Sequence, residues 1–212
     1  IVDAQKIINE AIGIDRSSVL LFTEDQEEFV ISHSWNRPDI SPLPPTLRKD
    51  SYPWSYQKML RKEVVCFSSI EELPPEAATD IETHHKSGVV SQAAFPLIAG
   101  DSVFGTLAFA VLREEREWSD QLINRLRIVA EVFASGIARK QAEEKLQDRI
   151  IEIEGLKVQL EKDNVILREE INLLFKHEEI VGESNAIKKV MALAEQVAST
   201  DSTVLIPVET GT

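Results

Sequence analysis

The sequence predicts an α+β fold: an antiparallel sheet carrying helices on one side, followed by a long coiled-coil helix. Three observations predict it. The apolar runs follow the order helix, hairpin, irregular loop, helix, strand, helix, hairpin, long helix, and the hairpin connections are too short for a parallel crossover. Leu146, Ile153, Leu160, Leu167 and Leu174 then recur every seven residues. Beyond that repeat a new apolar helix and a short strand begin, in residues 187–197 and 204–206.

Taken in order, residues 3–13 place Ile7, Ile8, Ala11 and Ile12 on one helical face, and Gly13 stops the helix. Residues 19–23 and 29–35 read as strands either side of an acidic turn. Pro38, Pro42, Pro44, Pro45 and Pro53 exclude regular structure across 36–53. So long an irregular loop suits a lid or binding loop as readily as a plain surface loop. A short helix over 54–61 precedes a strand over 63–67, and Pro74–Pro75 introduce a helix over 76–86. Gly88 opens a hairpin of strands 89–98 and 102–112, turned at Ala99–Gly100–Asp101. Ser119 is a ready N-cap for a long helix whose apolar face is Leu122, Leu126, Val129, Ala130, Phe133 and Ile137.

With the leucine row at the d positions of a heptad, the a positions are Ile150, Lys157, Asn164 and Ile171, so seven of nine core positions are apolar. Such a repeat winds helices into a left-handed coiled coil. Asn164 at a favours a parallel, in-register homodimer through residues 146–174, at some cost in stability. Glu154, Glu161 and Arg168 at e, with Asp163 and Glu170 at g, supply the charged flank. The competing reading is one amphipathic helix packed on its own domain, which ordinarily carries a wider apolar stripe. Carried backwards, the register puts Arg139 and Glu143 in the seam, so a phase break is expected near residues 136–143.

Composition narrows the classes. With 43% apolar and 28% charged residues among 212, the chain holds one good core plus appendages. A net charge of −13 argues against nucleic acid as a direct partner. No run is long enough for a membrane span, and Ile1 begins mid-pattern with no basic n-region. A single cysteine, Cys66, excludes an internal disulfide framework and fits a reducing, cytoplasmic setting. The missing Met and the ending at Gly211–Thr212 read as an excised fragment.

The segments "FPLIAGDSVFGTLAF", "REWSDQ" and "ARKQAEEKL" resemble the closing half of a GAF domain, a small-molecule-sensing relative of PAS. That resemblance spans residues 3–140. It implies about six antiparallel strands with a ligand pocket between sheet and helices, for which Trp54 and Cys66 are the pocket candidates; the ligand itself is not readable. Further on, "LEKDNVILREEI" and "HEEIVGESNAIKKVMALAEQVASTDSTVLI" resemble the junction into the AAA+ ATPase of sigma-54-dependent transcription activators with a GAF sensor, such as the formate-hydrogenlyase activators. The domains implied are a GAF sensor (1–140), a coiled-coil signalling helix (141–176) and the start of an AAA+ domain (177–212). The resemblance also implies ATP and Mg in the parent protein, and sigma-54 RNA polymerase and DNA as partners through domains this chain lacks.

Glu209, Thr210, Gly211 and Thr212 match the middle of that family's phosphate loop, whose glycines let backbone amides curl round the phosphates. Val208 stands where the first glycine belongs and disfavours the positive φ that glycine adopts freely. Without the second Gly and the Lys, no ATP hydrolysis and no bound cofactor are expected of this fragment. His84 and His85 are adjacent, so they cannot form an i, i+4 metal pair, and an exposed helix end is the simpler reading. Cys66 on a strand reads as a small buried group. Some GAF relatives hold a non-haem iron through carboxylates and a Cys; Arg48, Asp50, Cys66 and Asp80 could be brought together for it, but their spacing has no independent force, and no metal is assigned. The signatures of cyclic-nucleotide, bilin and methionine-sulfoxide-reducing GAF domains are not found. The expected function is therefore a ligand-sensing and dimerisation module of a bacterial sigma-54-dependent activator. The alternative is a GAF input domain of another signalling protein such as a histidine kinase, against which the residues after Leu167 argue. A free-standing enzyme finds no catalytic set.

Overall fold

Residues 1–23, 25–175 and 184–198 are described by the structure, a computed structural model. Ile1–Asp148 and Arg149–Thr212 form two separate units. In chain order the first contains α1 (Val2–Ile12), β1 (Arg16–Phe22), β2 (Glu28–Asn36), β3 (Thr46–Arg48), α2 (Pro53–Leu60), β4 (Val65–Phe67), α3 (Ala78–Ser87), β5 (Ser91–Ala99) and β6 (Ser102–Val111). The helix α4 (Asp120–Phe175) begins in this unit.

The six strands pair antiparallel in the order β3-β2-β1-β6-β5-β4. Helices cover both faces of this sheet, not one as the element order suggested. The reason lies in the central strands: Arg16 to Leu20 of β1 are all buried, so neither face of β1 is left to solvent. On one face, Val19, Ala93, Phe95, Leu97, Leu107 and Phe109 share a core with Ile8 and Ile12 of α1 and with Leu126, Ala130, Phe133, Ala134 and Ile137 of α4. On the other, Val65, Phe67, Ala94 and Ala110 pack with Met59 of α2 and with Ile81 of α3.

Local chemistry explains the joints. Gly13 closes α1 in the left-handed region, φ 69°. Ser119 caps α4, its Oγ accepting from the Leu122 amide at 3.3 Å. Just before it, the Trp118 indole donates to the Phe67 carbonyl at 3.1 Å and to Ser91 Oγ at 2.8 Å, tying the helix start to β4 and β5. Gly105 of β6 leaves no room for a side chain: a Cβ there would lie 2.3 Å from the Leu20 carbonyl oxygen.

Several expectations need correcting. The proline-rich stretch is not wholly irregular, because Thr46–Arg48 pairs with β2 and closes that edge of the sheet. The buried face of α1 is turned from the one expected: Ile7 is 67% exposed, while Gln5 and Asn9 are fully buried. These two amides bond β1, Gln5 Nε2 to the Ser17 carbonyl at 3.2 Å and Asn9 Nδ2 to Ser17 Oγ at 2.8 Å, and so fix the helix rotation. His84 is not at an exposed end; it is 1% exposed, between the rings of Tyr52 and Phe67. The backbone of α4 is helical without interruption through residues 136–143, so the expected phase break is one of side-chain pattern only.

In the second unit the remaining turns of α4 expose Ile150, Ile153, Leu160, Leu167 and Ile171. Asn164 bonds its own helix there, Nδ2 to the Leu160 carbonyl at 3.0 Å. A further helix, α5 (Asn185–Ala198), is capped by Ser184, whose Oγ accepts from the Ile187 amide at 3.2 Å. This is the helix expected over residues 187–197. The strand expected over 204–206 lies outside the described residues, as do Val208 and the loop residues Glu209, Thr210, Gly211 and Thr212.

Candidate functional site

A cavity opens between the sheet and α2, enclosing about 710 Å³ free of protein atoms with its mouth included. The space exists because β5 and β6 put small residues under it, Ala94, Ala108 and Ala110, while Leu20, Phe29, Leu43, Met59 and Val89 form larger apolar walls. The polar groups reaching it include Arg16, Ser18, Tyr52, Ser55, Gln92 and Thr106.

Strand alternation aims the β1 set. Arg16, Ser18 and Leu20 line the cavity, whereas Ser17 and Val19 face α1 and α4. The α2 set is aimed by Asp80, a fully buried carboxylate on α3. Its Oδ1 accepts from the Trp54 amide at 3.1 Å and its Oδ2 from the Ser55 amide at 2.8 Å, so α3 caps the start of α2. Ser55, Tyr56 and Met59 thereby face the sheet, and the buried Ser55 hydroxyl has no hydrogen-bond partner among the described residues.

Arg16 is the unusual group. Its side chain belongs to a residue only 6% exposed, and its hydrogen-bond partners are neutral: Nε donates to Asn36 Oδ1 at 3.1 Å and Nη2 to the Ser41 carbonyl at 3.3 Å. Among the described residues no carboxylate pairs with it. Burial pulls its guanidinium below the usual value, a pull partly opposed by Tyr52, yet an arginine remains charged in a protein. Tyr52 in turn is held above its usual value by burial, eased by its bond to Ser87 and by Arg16. A buried cation without an opposite charge is costly. An anion in the cavity would supply the missing charge.

The residues singled out from sequence fall elsewhere. Trp54 does not line the cavity; it is partly buried against the core cluster on that face of the sheet, with Lys58 Nζ 5.6 Å from its ring centre. Cys66 is exposed rather than buried, because β4 alternates and sends Val65 and Phe67 inward on the cavity side. Partial covering of its thiol, with Glu72 nearby, pushes it up to about 11, far from a reactive thiolate at neutral pH. Arg48 and Asp50 pair with each other on the surface at 3.1 Å, and Asp80 is engaged by α2. These residues do not meet, and no cluster of three His, Cys, Asp or Glu able to hold a metal occurs among the described residues.

Residues 4–137 match the family model of the GAF domain. The chain belongs to the GAF domain family. Among curated proteins, this GAF chain is 37% identical over 118 residues to the formate hydrogenlyase transcriptional activator FhlA of Escherichia coli, and 36% identical to that of Salmonella typhimurium. The match covers 55% of this chain and 16% of either relative. Solved structures share the fold at low identity. The phycocyanobilin-bound GAF domain of a cyanobacterial phytochrome has a TM-score of 0.58 at 17% identity, covering 68% of this chain and 85% of its own. The third GAF domain of Slr1393 from Synechocystis sp. PCC6803 has a TM-score of 0.56 at 16% identity, covering 67% and 93%. No helix among the described residues is long and apolar enough to cross a membrane.

Sequence reasoning missed Arg16, Ser18, Tyr52, Ser55, Gln92 and Thr106. The signal for Arg16 was present: a charged residue opens a strand, Arg16–Phe22, whose later positions are apolar on both faces.

Proposed function

We propose that this GAF domain senses a small anionic ligand with an apolar body, and that the chain is the sensing and dimerising part of a bacterial sigma-54-dependent transcription activator. In this reading the chain has no enzymatic activity of its own. The signal passes along α4 to an AAA+ ATPase, which uses ATP and Mg in the whole, cytoplasmic protein. The observation that carries the ligand reading is the buried Arg16 guanidinium in an apolar-walled cavity with no carboxylate beside it. The relatives, which are named as transcriptional activators, support the regulatory setting. The resemblance of residues 177–206 to the activators' ATPase junction supports the relay.

The test is thermal denaturation of the chain with formate, acetate, succinate, butyrate or inorganic phosphate. Ligand at a hundred times its Kd stabilises by about 2.7 kcal/mol, which for a domain of this size is roughly 5 to 10 °C. At least one carboxylate should raise the Tm of the native chain, and Arg16→Gln should abolish that rise. A panel that leaves the native Tm unmoved, or a rise that survives in Arg16→Gln, refutes the anion site.

A further inference from the structure

Of the hydroxyls that line the cavity, all but one are already engaged within the domain. Ser18 Oγ lies 3.0 Å from Ser34 Oγ. Thr106 Oγ1 donates to the Phe95 carbonyl at 3.0 Å. Ser87 Oγ donates to the His84 carbonyl at 3.1 Å and also bonds the Tyr52 hydroxyl. The Tyr56 hydroxyl turns outward to Gln26 Oε1 at 3.1 Å. Ser55 is the exception. Asp80 holds its backbone amide, but its hydroxyl is buried with no partner among the described residues. A buried hydroxyl left unpaired costs stability, so such a group calls for an explanation.

The position of Ser55 supplies one. Strand register orders the floor of the cavity, with Arg16 opposite Ala110 at one end and Leu20 opposite Thr106 at the other. Two contacts orient α2 above this floor. Tyr52, just before the helix, and Arg16 act on each other electrostatically, and Met59 Sδ lies 3.6 Å from Thr106 Oγ1. The helix therefore runs from the Arg16 end to the Leu20 end, and Ser55, in its first turn, stands over the half nearer Arg16. We infer that the ligand is an oxygenated carboxylic acid: its carboxylate meets Arg16, a hydroxyl or keto oxygen one or two carbons further on bonds Ser55, and a short apolar tail points toward Leu20 and Met59. This rests on the anion reading of Arg16. A serine hydroxyl donates to either kind of oxygen. The lining holds no Asp, Glu or Lys, so an ammonium in place of that oxygen would meet the Arg16 cation and no counter-charge. The site thus selects hydroxy and oxo acids over plain fatty acids and over amino acids of the same skeleton.

Isothermal titration of the 212-residue chain with butyrate, 2-hydroxybutyrate, 3-hydroxybutyrate and 2-aminobutyrate tests this. At least one hydroxy acid should bind about tenfold tighter than butyrate, the effect of pairing one buried hydroxyl, and 2-aminobutyrate should bind more weakly than butyrate. In Ser55→Ala the preference for the hydroxy acid should fall below about threefold. That variant keeps the amide held by Asp80, and the ratio of two ligands in one variant cancels any general change in the cavity. Butyrate binding as tightly as both hydroxy acids, with all binding lost in Arg16→Gln, overturns the second contact and leaves the anion site standing. A preference that survives in Ser55→Ala, or 2-aminobutyrate binding as tightly as the hydroxy acids, also overturns it. If none of the four acids binds, this inference falls, and the anion reading falls with it only if the carboxylate and phosphate panel also leaves the Tm unmoved.

Discussion

His84 lies with its ring 5.3 Å from that of Tyr52 and 5.0 Å from that of Phe67, and neither of its nitrogens has a hydrogen-bond partner among the described residues. Burial pulls it down to about 4, against the smaller upward effect of Asp80. In the unfolded chain an ordinary histidine titrates near 6.5. The unfolded state therefore binds more protons between those values, so stability is complete above about pH 6.5 and is lost as pH falls toward 4. At 1.36 kcal/mol per unit, the loss amounts to about 3 kcal/mol at most. Urea denaturation at pH 7 and pH 4.5 should show a smaller acid-induced drop for His84→Phe than for the native chain, and equal drops would remove His84 from the acid response. No sequence pattern betrayed this burial. Adjacent histidines near a helix end look solvated, and it takes the ring of Tyr52, from a segment some thirty positions earlier, to cover one of them. Arg16 was hidden for a related reason: a charge at a strand end is usually wet, and only α2, held down by Asp80, encloses the cavity around it.

Among the elements, those with a clear apolar period were legible and those defined by their partners were not. The Ser91–Ala99 and Ser102–Val111 hairpin and the start of α4 follow from glycine, turn and cap residues within a few positions of each other. The rotation of α1 does not, because its inward face includes Gln5 and Asn9, which become apolar-compatible only by bonding Ser17 of the next strand. The three-residue β3 has no period to read; it exists because β2 offers a free edge. Trp54 and Cys66, the pocket candidates the family resemblance implies, sit on elements beside the cavity, but only the register of α2 and β4 decides which side chains enter. Gly105 belongs with these partner-defined features. A methyl group there meets the backbone of β1 rather than a flexible side chain, so the two strands must part. Gly105→Ala should destabilise the domain by about 1 to 3 kcal/mol, the range of overpacked cores. Equilibrium urea unfolding reads this directly, and a midpoint within error of the native chain would mean that the β1–β6 contact is looser than the backbone shows.

For the molecule as a whole, α4 has two distinct obligations. Its Leu126 to Ile137 row is committed to the sheet, and its Ile128, Val132 and Leu146 row is left to the exterior. The cavity is lined by β1, β5 and β6 on one side of the sheet while α4 packs on the other, so in the proposed relay a ligand that shifts the sheet would change the seat of the helix. The proposed dimer converts that shift into a change at the seam. Its weakest layers are Arg139 and Glu143, where polar residues allow two packings to lie close in free energy. If the whole protein is the activator proposed above, a reporter gene under its control tests this. Seven residues inserted between Arg139 and Gln141 restore the heptad and keep the coiled coil in phase with the domain, so ligand response should survive. Four residues turn one segment against the other by roughly 50° in a 3.5-residue repeat, which should lock output on or off. Asn164→Leu adds a control, since it should relax oligomer choice in light scattering without disturbing the cavity. Were both insertions to respond to ligand like the native activator, α4 would act as a tether only, and the signal would have to leave the domain by another surface.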